Sequence, residues 1–179
     1  MTRQICSTML AFALAVASVA LVATARAAEA EAPAADESNL FKPLNEWGPW
    51  VLEINGDGKG AMWAIDQTLL IITSANSAEN WHVQCYYPEL ELQEGQEYVI
   101  KFEAKSPESA QVLLAGQLNK DPWSEIGLHE ELSLTPDFKP FEFTFKATGV
   151  SGKANRVGFA AGLTKGIVYV KDLSLTKKS

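Results

Sequence analysis

Short runs of alternating apolar and polar residues dominate the chain from about residue 39 onward. Successive side chains of a β-strand point to opposite faces, so a period of two is typical of strands that are buried on one side. Gly, Pro, Asn and Asp separate the runs, and no apolar stripe with helical spacing extends over about 10 residues or more. The pattern predicts an all-β domain.

Ten strands are predicted, and their number and spacing favour a β-sandwich of two antiparallel sheets. The predicted strands are Trp50–Ile54, Ala61–Ile65, Leu69–Thr73, Trp81–Tyr87, Tyr98–Ala104, Gln111–Leu118, Gly127–Leu134, Phe141–Ala147, Arg156–Leu163 and Ile167–Leu175. Three of these runs alternate so regularly that their inward faces can be named. The inward sets are Tyr98, Ile100, Phe102 and Ala104; Phe141, Phe143 and Phe145; and Val157, Phe159 and Ala161. We assign all of them to the core.

Residues 1–27 have the features of a secretory signal peptide. Arg3 is the only early charge, an apolar run extends from Met9 to Ala23, and Ala25-Arg26-Ala27 offers a cleavage site. The apolar run is shorter than the roughly 20 residues that a membrane anchor needs. We therefore expect a secreted protein, extracellular or periplasmic, with no membrane insertion.

Two segments are expected after the signal peptide. Residues 28–38 are small, acidic and without an apolar period, which predicts a disordered linker. Residues 39–179 have the length of one domain and form the predicted β-sandwich.

The charge balance excludes one class of partner. The formal net charge is −7, and it becomes −9 when Arg3 and Arg26 leave with the signal peptide. Nucleic-acid binding depends on clustered Lys and Arg that neutralise phosphates, and the chain has no such cluster. We expect no nucleic-acid partner, and we expect a monomer.

The cysteine content indicates that the fold is stabilised by a packed core and not by disulfide bonds. Cys6 lies in the signal peptide, so the mature chain keeps Cys85 alone and has no internal disulfide. Its apolar strand predicts a buried and unreactive thiol.

The segment INGDGKG at residues 54–60 combines an Asn-Gly and an Asp-Gly pair. Both pairs supply the positive φ that tight turns require, so the segment predicts a turn between two strands. A calcium-binding loop is disfavoured, because the segment lacks the spaced acids and the terminal Glu of an EF-hand loop.

Signatures of catalysis are missing from the sequence. The chain has no Gly-x-Ser-x-Gly elbow, no His-Glu-x-x-His pair and no Gly-rich phosphate loop. His82 and His129 are distant in sequence and have no clear third ligand, which disfavours a metal site. We therefore expect a protein that is not an enzyme and needs no cofactor.

The stretch NWHVQCYYPELEL, residues 80–92, has an unusual polar and aromatic content. Alternation places Val83, Cys85 and Tyr87 on the inward face, together with Trp81. Either Trp81 is core or the start of the strand is twisted, and we favour core. The other face of the strand carries His82, Gln84 and Tyr86.

A second strand has an uncharged outward face. Between residues 111 and 118 this face carries Gln111 and Gln117, and Trp123 follows in the next loop. Amides can donate to and accept from sugar hydroxyls, and aromatic rings cover the apolar faces of sugar rings. The two outward faces could form a carbohydrate-binding surface or an ordinary solvated face, and composition alone leaves both open.

Several segments, taken in order, resemble the family 4 and family 9 types of carbohydrate-binding module. The segments are NWHVQ (80–84), LELQEGQEYVIKFEAKSP (90–107), PWSEIGLHEELSLTPDFKPFEFTFKATG (122–149), NRVGFAAG (155–162) and GIVYVKDLSL (166–175). The resemblance covers about residues 50–175. It implies a jelly-roll β-sandwich that binds polysaccharide on a concave sheet face without catalysis.

The resemblance also implies a set of binding residues. Gln84 best matches the glutamine that the family often uses, and His82 and Tyr86 adjoin it. Gln111, Gln117 and Trp123 occupy the strand and loop that border the cleft in the family. We predict these six residues as ligand-binding.

A structural calcium is common in the family, held by an acid of the opening segment and an Asp of the last strand. The last-strand acid is present as Asp172, but residues 39–50 lack the family's opening motif. A calcium site is thus possible but not expected.

Two other functions remain open. Because no catalytic domain accompanies the module, it could be a structural or adhesive domain that binds a protein and no sugar. A glycanase is the least favoured reading, since acid pairs are common by chance in an acidic protein.

Overall fold

The computed structural model describes residues 38–44 and 48–178, and ten β-strands with one short 3-10 helix form most of this part of the chain. The strands are β1 (Val51–Ile54), β2 (Gly60–Ile65), β3 (Thr68–Thr73), β4 (Val83–Leu90), β5 (Glu97–Lys105), β6 (Ala110–Leu118), β7 (Glu125–Leu134), β8 (Lys139–Lys146), β9 (Asn155–Ala160) and β10 (Gly166–Lys177). Every predicted strand has a counterpart. The all-β prediction is confirmed.

The strands form two antiparallel sheets of five strands each. Sheet 1 has the order β1-β4-β9-β6-β7, and sheet 2 has the order β2-β3-β10-β5-β8. Only the pairs β2–β3 and β6–β7 join consecutive strands of this part of the chain within one sheet. The other connections cross from one sheet to the other, as expected of a sandwich, and the predicted β-sandwich is confirmed.

The core lies between the sheets and is rich in aromatic rings. Phe102 of β5 packs against Phe141 of β8 at 5.2 Å between ring centroids, and meets Phe159 of β9 edge-on at 5.3 Å. The inward sets predicted from alternation are confirmed, although Phe141 and Phe143 are only partly buried. Cys85 is fully buried, and burial raises the pKa of its thiol well above the usual value.

The turn predicted at residues 54–60 is present, although it does not join paired strands. Gly56 does adopt a positive φ of 51°, but β1 pairs with β4 while β2 pairs with β3. The segment therefore carries the chain from sheet 1 to sheet 2. Its turn residues predicted the local bend correctly, whereas the choice of partner strand depends on contacts distant in sequence.

The start of β4 also differs from the prediction. Residues Asn80–His82 form a 3-10 helix, and the strand begins at Val83. The helix interrupts the alternation, so the parity of β4 does not extend back to Trp81. Trp81 is 47% exposed, and its assignment to the core is wrong.

The segment at residues 38–44 lies along β10. The Asn39 side chain donates to the carbonyl of Leu173 (3.1 Å) and accepts from the amides of Phe41 and Leu175 (3.0 and 2.9 Å). Phe41 and Leu44 are buried in the core. The domain is thus closed at this end by side chains that precede the first strand.

The predicted signal peptide lies outside the described residues, as does the linker except for Ser38, and both stay predictions. Within residues 38–44 and 48–178, no helix has the length and apolar character to cross a membrane.

Candidate functional site

A trough lies on the outer face of sheet 1, over strands β4, β9 and β6. Gly158 of β9 stands opposite Ala115 of β6, and the next outward pair is Ala160 and Leu113. Alanine occupies little volume, and Ala115 and Ala160 line the floor of a cleft of about 630 Å³. A cleft of this size falls in the range of small-molecule binding sites.

Two exposed tryptophans line the cleft. Trp81, in the 3-10 helix, is 47% exposed, and Trp123, in the loop between β6 and β7, is 46% exposed. Trp123 has a φ of 61°, a left-handed conformation that is uncommon for a bulky side chain. Its amide donates to the carbonyl of Lys120 at 2.8 Å, which closes the turn. The two indole rings thus add exposed aromatic area to the lining of the cleft.

Arg156 lies in the floor of the cleft, with only 6% of its side chain exposed. Its Nη1 donates to Oε2 of Glu53 at 3.0 Å. Its Nη2 donates to Oε1 of Gln84 at 3.3 Å and to Oε1 of Gln117 at 3.1 Å. A buried charge is tolerated when it is paired and hydrogen-bonded, and strands β1, β4 and β6 together supply these partners.

Two aromatic rings pack against the guanidinium of Arg156. The Arg156 Cζ atom lies 4.5 Å from the ring centroid of Tyr86 and 5.0 Å from that of Trp123. Cation–π contacts of this kind are stronger where water is excluded. Arg156 therefore connects the floor of the cleft to the Trp123 loop.

Glu53 is the counter-ion of Arg156, and its pKa lies below the usual value. Burial raises the pKa of Glu53, but hydrogen bonds from Asn55, Arg156 and Tyr86 and the positive charge of Arg156 outweigh that effect. The pKa of Tyr86 is raised by burial and by the negative charge of Glu53. At neutral pH the carboxylate is thus ionised and the phenol keeps its proton.

The far wall of the cleft belongs to β7. Nδ1 of His129 lies 2.5 Å from Oε1 of Glu125, and both side chains are about half exposed. These residues add a solvated polar edge opposite the tryptophan of the 3-10 helix.

Four of the six predicted ligand-binding residues lie in or against the cleft. Gln84, Gln117 and Trp123 line it, and Tyr86 packs against Arg156. Residues of β4, β6 and the loop after β6 thus meet at Arg156, which lies on β9 between the two strands.

Gln111 lies apart from these four. Its amide forms hydrogen bonds with the hydroxyl of Ser133 at 3.1 Å. It lines a smaller pocket of about 210 Å³ that shares Asn80 and Leu113 with the cleft. Gln111 therefore marks an extension of the cleft.

His82 does not line the cleft. It is 8% exposed, and its Nδ1 contacts Oδ1 of Asp57 at 2.5 Å. A side chain at Gly56 would collide with its ring, because the loop from β1 to β2 packs on it. The outward position predicted for His82 is wrong, since this residue belongs to the 3-10 helix.

Sequence reasoning did not select Arg156 or Glu53. A signal was present in the sequence, because Arg156 is the only arginine after residue 26 and stands in the otherwise small and apolar run RVGFAAG. A lone arginine in such a strand needs partners from neighbouring strands.

The surroundings of Asp172 do not fit a calcium site. Calcium takes six to eight oxygen ligands, whereas the Asp172 carboxylate is exposed and lies 3.4 Å from Nζ of Lys171. The Asn39 amide oxygen already accepts two backbone N–H groups. Within the described residues, no group of three or more His, Cys, Asp and Glu side chains is placed to hold a metal ion.

Comparison with protein-family models and with curated proteins finds no match to this chain. Comparison with solved structures does find matches. A structure described as "CBM4 structure and function" has a TM-score of 0.66 and 22% identity, covering 80% of this chain and 96% of that chain. The second N-terminal cellulose-binding domain of Cellulomonas fimi β-1,4-glucanase C has a TM-score of 0.61 and 18% identity, covering 80% and 97%.

The N-terminal cellulose-binding domain of the same glucanase is also similar, with a TM-score of 0.57 and 19% identity over 77% of this chain and 98% of that domain. These structures are matched over nearly their whole length. The resemblance to family 4 carbohydrate-binding modules that the sequence indicated is therefore confirmed at the level of the fold.

Proposed function

We propose that this chain is a secreted, non-catalytic domain that binds a neutral polysaccharide in the cleft of sheet 1. The observation that carries the proposal is the pairing of two exposed tryptophans, Trp81 and Trp123, with the amides of Gln84 and Gln117 in one cleft. Aromatic rings stack on the apolar faces of sugars, and amides bond to their hydroxyls. The similar structures described as cellulose-binding domains support the same class of ligand.

The charges of the cleft favour a neutral ligand. Arg156 is already paired with Glu53, and Glu125 adds a second carboxylate to the lining. The formal net charge of the chain is −7. An anionic glycan would be repelled over the whole approach, whereas a neutral glycan would not.

The length of the site favours a chain of sugars over a single unit. Along β6, the six steps from Gln117 to Gln111 span about 20 Å at the usual rise of a strand. The cleft covers the Gln117 end and the smaller pocket covers the Gln111 end. One extended ligand could therefore contact both.

A binding screen with matched tryptophan variants tests this proposal. Affinity electrophoresis and a glycan array should show saturable retention of the purified protein by at least one neutral polysaccharide. Trp81→Ala and Trp123→Ala should each weaken binding about tenfold, or about 1.4 kcal/mol, because each removes an aromatic surface that can cover the apolar face of a sugar ring.

Trp63 provides the control. It is 61% exposed on β2 of sheet 2, away from the cleft, so Trp63→Ala should leave the affinity unchanged. Absence of retention on all soluble and insoluble polysaccharides would overturn the proposal. A stable protein partner recovered instead would support the structural or adhesive function.

Secretion is part of the proposal and rests on the sequence of residues 1–27. N-terminal sequencing of the protein from the envelope or the medium should find a chain that begins near Ala28. A mature chain that still begins at Met1 would contradict this part of the proposal.

A further inference from the structure

Arg156 fixes the orientation of two amides in the cleft floor. A guanidinium only donates hydrogen bonds, so an amide can pair with it only through the carbonyl oxygen. Nη2 of Arg156 lies 3.3 Å from Oε1 of Gln84 and 3.1 Å from Oε1 of Gln117. Both amide oxygens therefore accept a hydrogen bond from the guanidinium and point toward it.

The amide nitrogens of these glutamines are left to the ligand. Among the described residues, the contacts with Arg156 are the only hydrogen bonds that the side chains of Gln84 and Gln117 make. Both side chains line the cleft. Since each NH₂ group carries two donors, the floor offers N–H groups at two neighbouring points.

The guanidinium that holds these amides is itself immobilised. Glu53 pairs with it at 3.0 Å, Tyr86 and Trp123 cover its faces, and only 6% of the side chain is exposed. The donors are thus oriented before any ligand arrives, which lowers the entropic cost of binding.

We infer that Arg156 is a positioning residue that sets the hydrogen-bond polarity of the cleft floor. It holds Gln84 and Gln117 with their N–H groups toward the ligand, so the cleft selects a neutral glycan that presents acceptor oxygens to both points. The inference rests on the proposed function, because it assigns a task to the same site. Arg156 acts through the two glutamines, since its own side chain is almost completely covered.

Nuclear magnetic resonance of the ¹⁵N-labelled protein tests the positioning without any ligand. Gln84→Glu and Gln117→Glu identify the side-chain NH₂ signals, which should be displaced from those of freely exposed amides. In Arg156→Lys both pairs of signals should move to the positions of exposed amides, because the ammonium is a point charge on a flexible stem and lacks the planar fork that reaches Glu53, Gln84 and Gln117 at once.

Gln67 is the internal control, because its Nε2 donates to the carbonyl of Leu44 at 2.6 Å and does not contact Arg156. Its signals should stay unchanged. Unaltered signals of Gln84 and Gln117 in Arg156→Lys would overturn the inference, whether or not a glycan ligand is found. Failure of the proposed function is therefore distinguishable from failure of the positioning.

Titration calorimetry with a glycan retained in the screen tests the consequence for binding. Arg156→Lys should bind about tenfold more weakly, which corresponds to about 1.4 kcal/mol. Gln117→Glu keeps an acceptor for Arg156 and removes the NH₂ group, so the affinity should fall by about fivefold while the melting temperature does not fall. Lys101→Met, which removes the exposed pair with Glu142, should bind normally.

Binding of Gln117→Glu with unchanged affinity would overturn the inference. If Arg156→Lys does not fold, Gln84→Glu and Gln117→Glu still decide the outcome, because both leave Arg156 and its ion pair in place.

Discussion

The outer faces of the two sheets differ most at their central strands. Gly158 of β9 stands between Tyr86 and Ala115 in sheet 1, whereas Tyr169 of β10 stands between Leu70 and Lys105 in sheet 2. Gly158 adds no side chain to the outer face of sheet 1, whereas Tyr169 adds a partly exposed ring to the outer face of sheet 2. Next to Gly158 on the outer face of sheet 1, the small side chains of Ala115 and Ala160 line the cleft.

The charges follow the same division. Several outward charges of sheet 2 form exposed ion pairs, such as Lys101 with Glu142 at 3.0 Å, where both side chains are more than half exposed. The central charge of sheet 1, Arg156, is covered by five side chains. Exposed pairs contribute little to stability, while removal of one member of a buried pair is costly.

The largest effect is expected for Arg156→Met. The substitution leaves the Glu53 carboxylate without its cation and both glutamine carbonyls without a donor, so unfolding should require about 3 kcal/mol less free energy. The value is placed at the lower end of the range because about a third of the Glu53 side chain is exposed. Urea unfolding followed by tryptophan fluorescence measures it. If Arg156→Met lost as little free energy of unfolding as Lys101→Met, the charges of the two outer faces would not differ in their contribution to stability.

Gly158→Ala should follow in magnitude. A Cβ at this position would overlap the carbonyl oxygen of Cys85 and the Cβ of Tyr86, so strands β4 and β9 would have to separate. We expect a loss of about 2 kcal/mol, as for other overpacked sites, together with weaker glycan binding. Differential scanning calorimetry and the binding screen measure the two effects. Normal stability with normal binding would show that the trough does not depend on the glycine.

Lowering the pH should destabilise the folded protein, because it protonates Glu53 of sheet 1. Its pKa in the folded protein lies below the ordinary value of 4.5, so the ionised carboxylate stabilises the fold above about pH 4.5. This contribution is lost as the pH falls through the folded pKa. Loss of its charged hydrogen bonds costs about 1 kcal/mol, or roughly 2–4 °C in melting temperature.

Glu53→Gln is the control for the acid effect, because it cannot titrate at this position. Between about pH 5 and about pH 3, the range around the ordinary carboxyl pKa, its melting temperature should fall less than that of the wild type. The pKa of Asp57 is also lowered, by its hydrogen bonds with His82 and Ala78. Because Asp57 is present in both proteins, its contribution to the fall in melting temperature is the same in each. If the melting temperatures of both proteins fell equally between these pH values, the acid effect would not come from Glu53.

The smallest effect is expected for Lys101→Met on sheet 2. Its partner Glu142 remains solvated, so the free energy of unfolding should change by at most about 0.5 kcal/mol. Urea unfolding under the conditions used for Arg156→Met gives the comparison directly. A loss approaching that of Arg156→Met would mean that the exposed pairs of sheet 2 contribute as much as the buried pair of sheet 1.

Alternation predicted the strands and most inward faces, because that signal is local. In β5, Tyr98 to Ala104 alternate between buried and more exposed positions as the sequence indicates. The same logic failed at Trp81 and His82, because a 3-10 helix changes which way successive side chains point. A single turn of helix has too few residues to show a period of its own.

The site was only partly predictable for a related reason. Gln84, Gln117 and Trp123 were selected from their strand faces and their loop, and the structure places all three around the cleft. Arg156 was not predicted as a site residue, because an outward arginine on a strand is ordinarily solvated. Its burial comes from Glu53 and Tyr86 on other strands, and the sequence of β9 alone contains no information about those neighbours.

The order of strands in sheet 1 has a consequence for how the protein folds. Strand β9 lies between β4 and β6, although about 65 residues separate Leu90 from its partner Asn155. Pairings of such long sequence separation slow folding, and sandwiches of this kind typically fold in milliseconds to seconds. Until β9 inserts, β4 and β6 have no common neighbour and the glutamines they carry cannot meet Arg156. Formation of the cleft should therefore be a late event, and an intermediate that lacks β9 would have no binding activity.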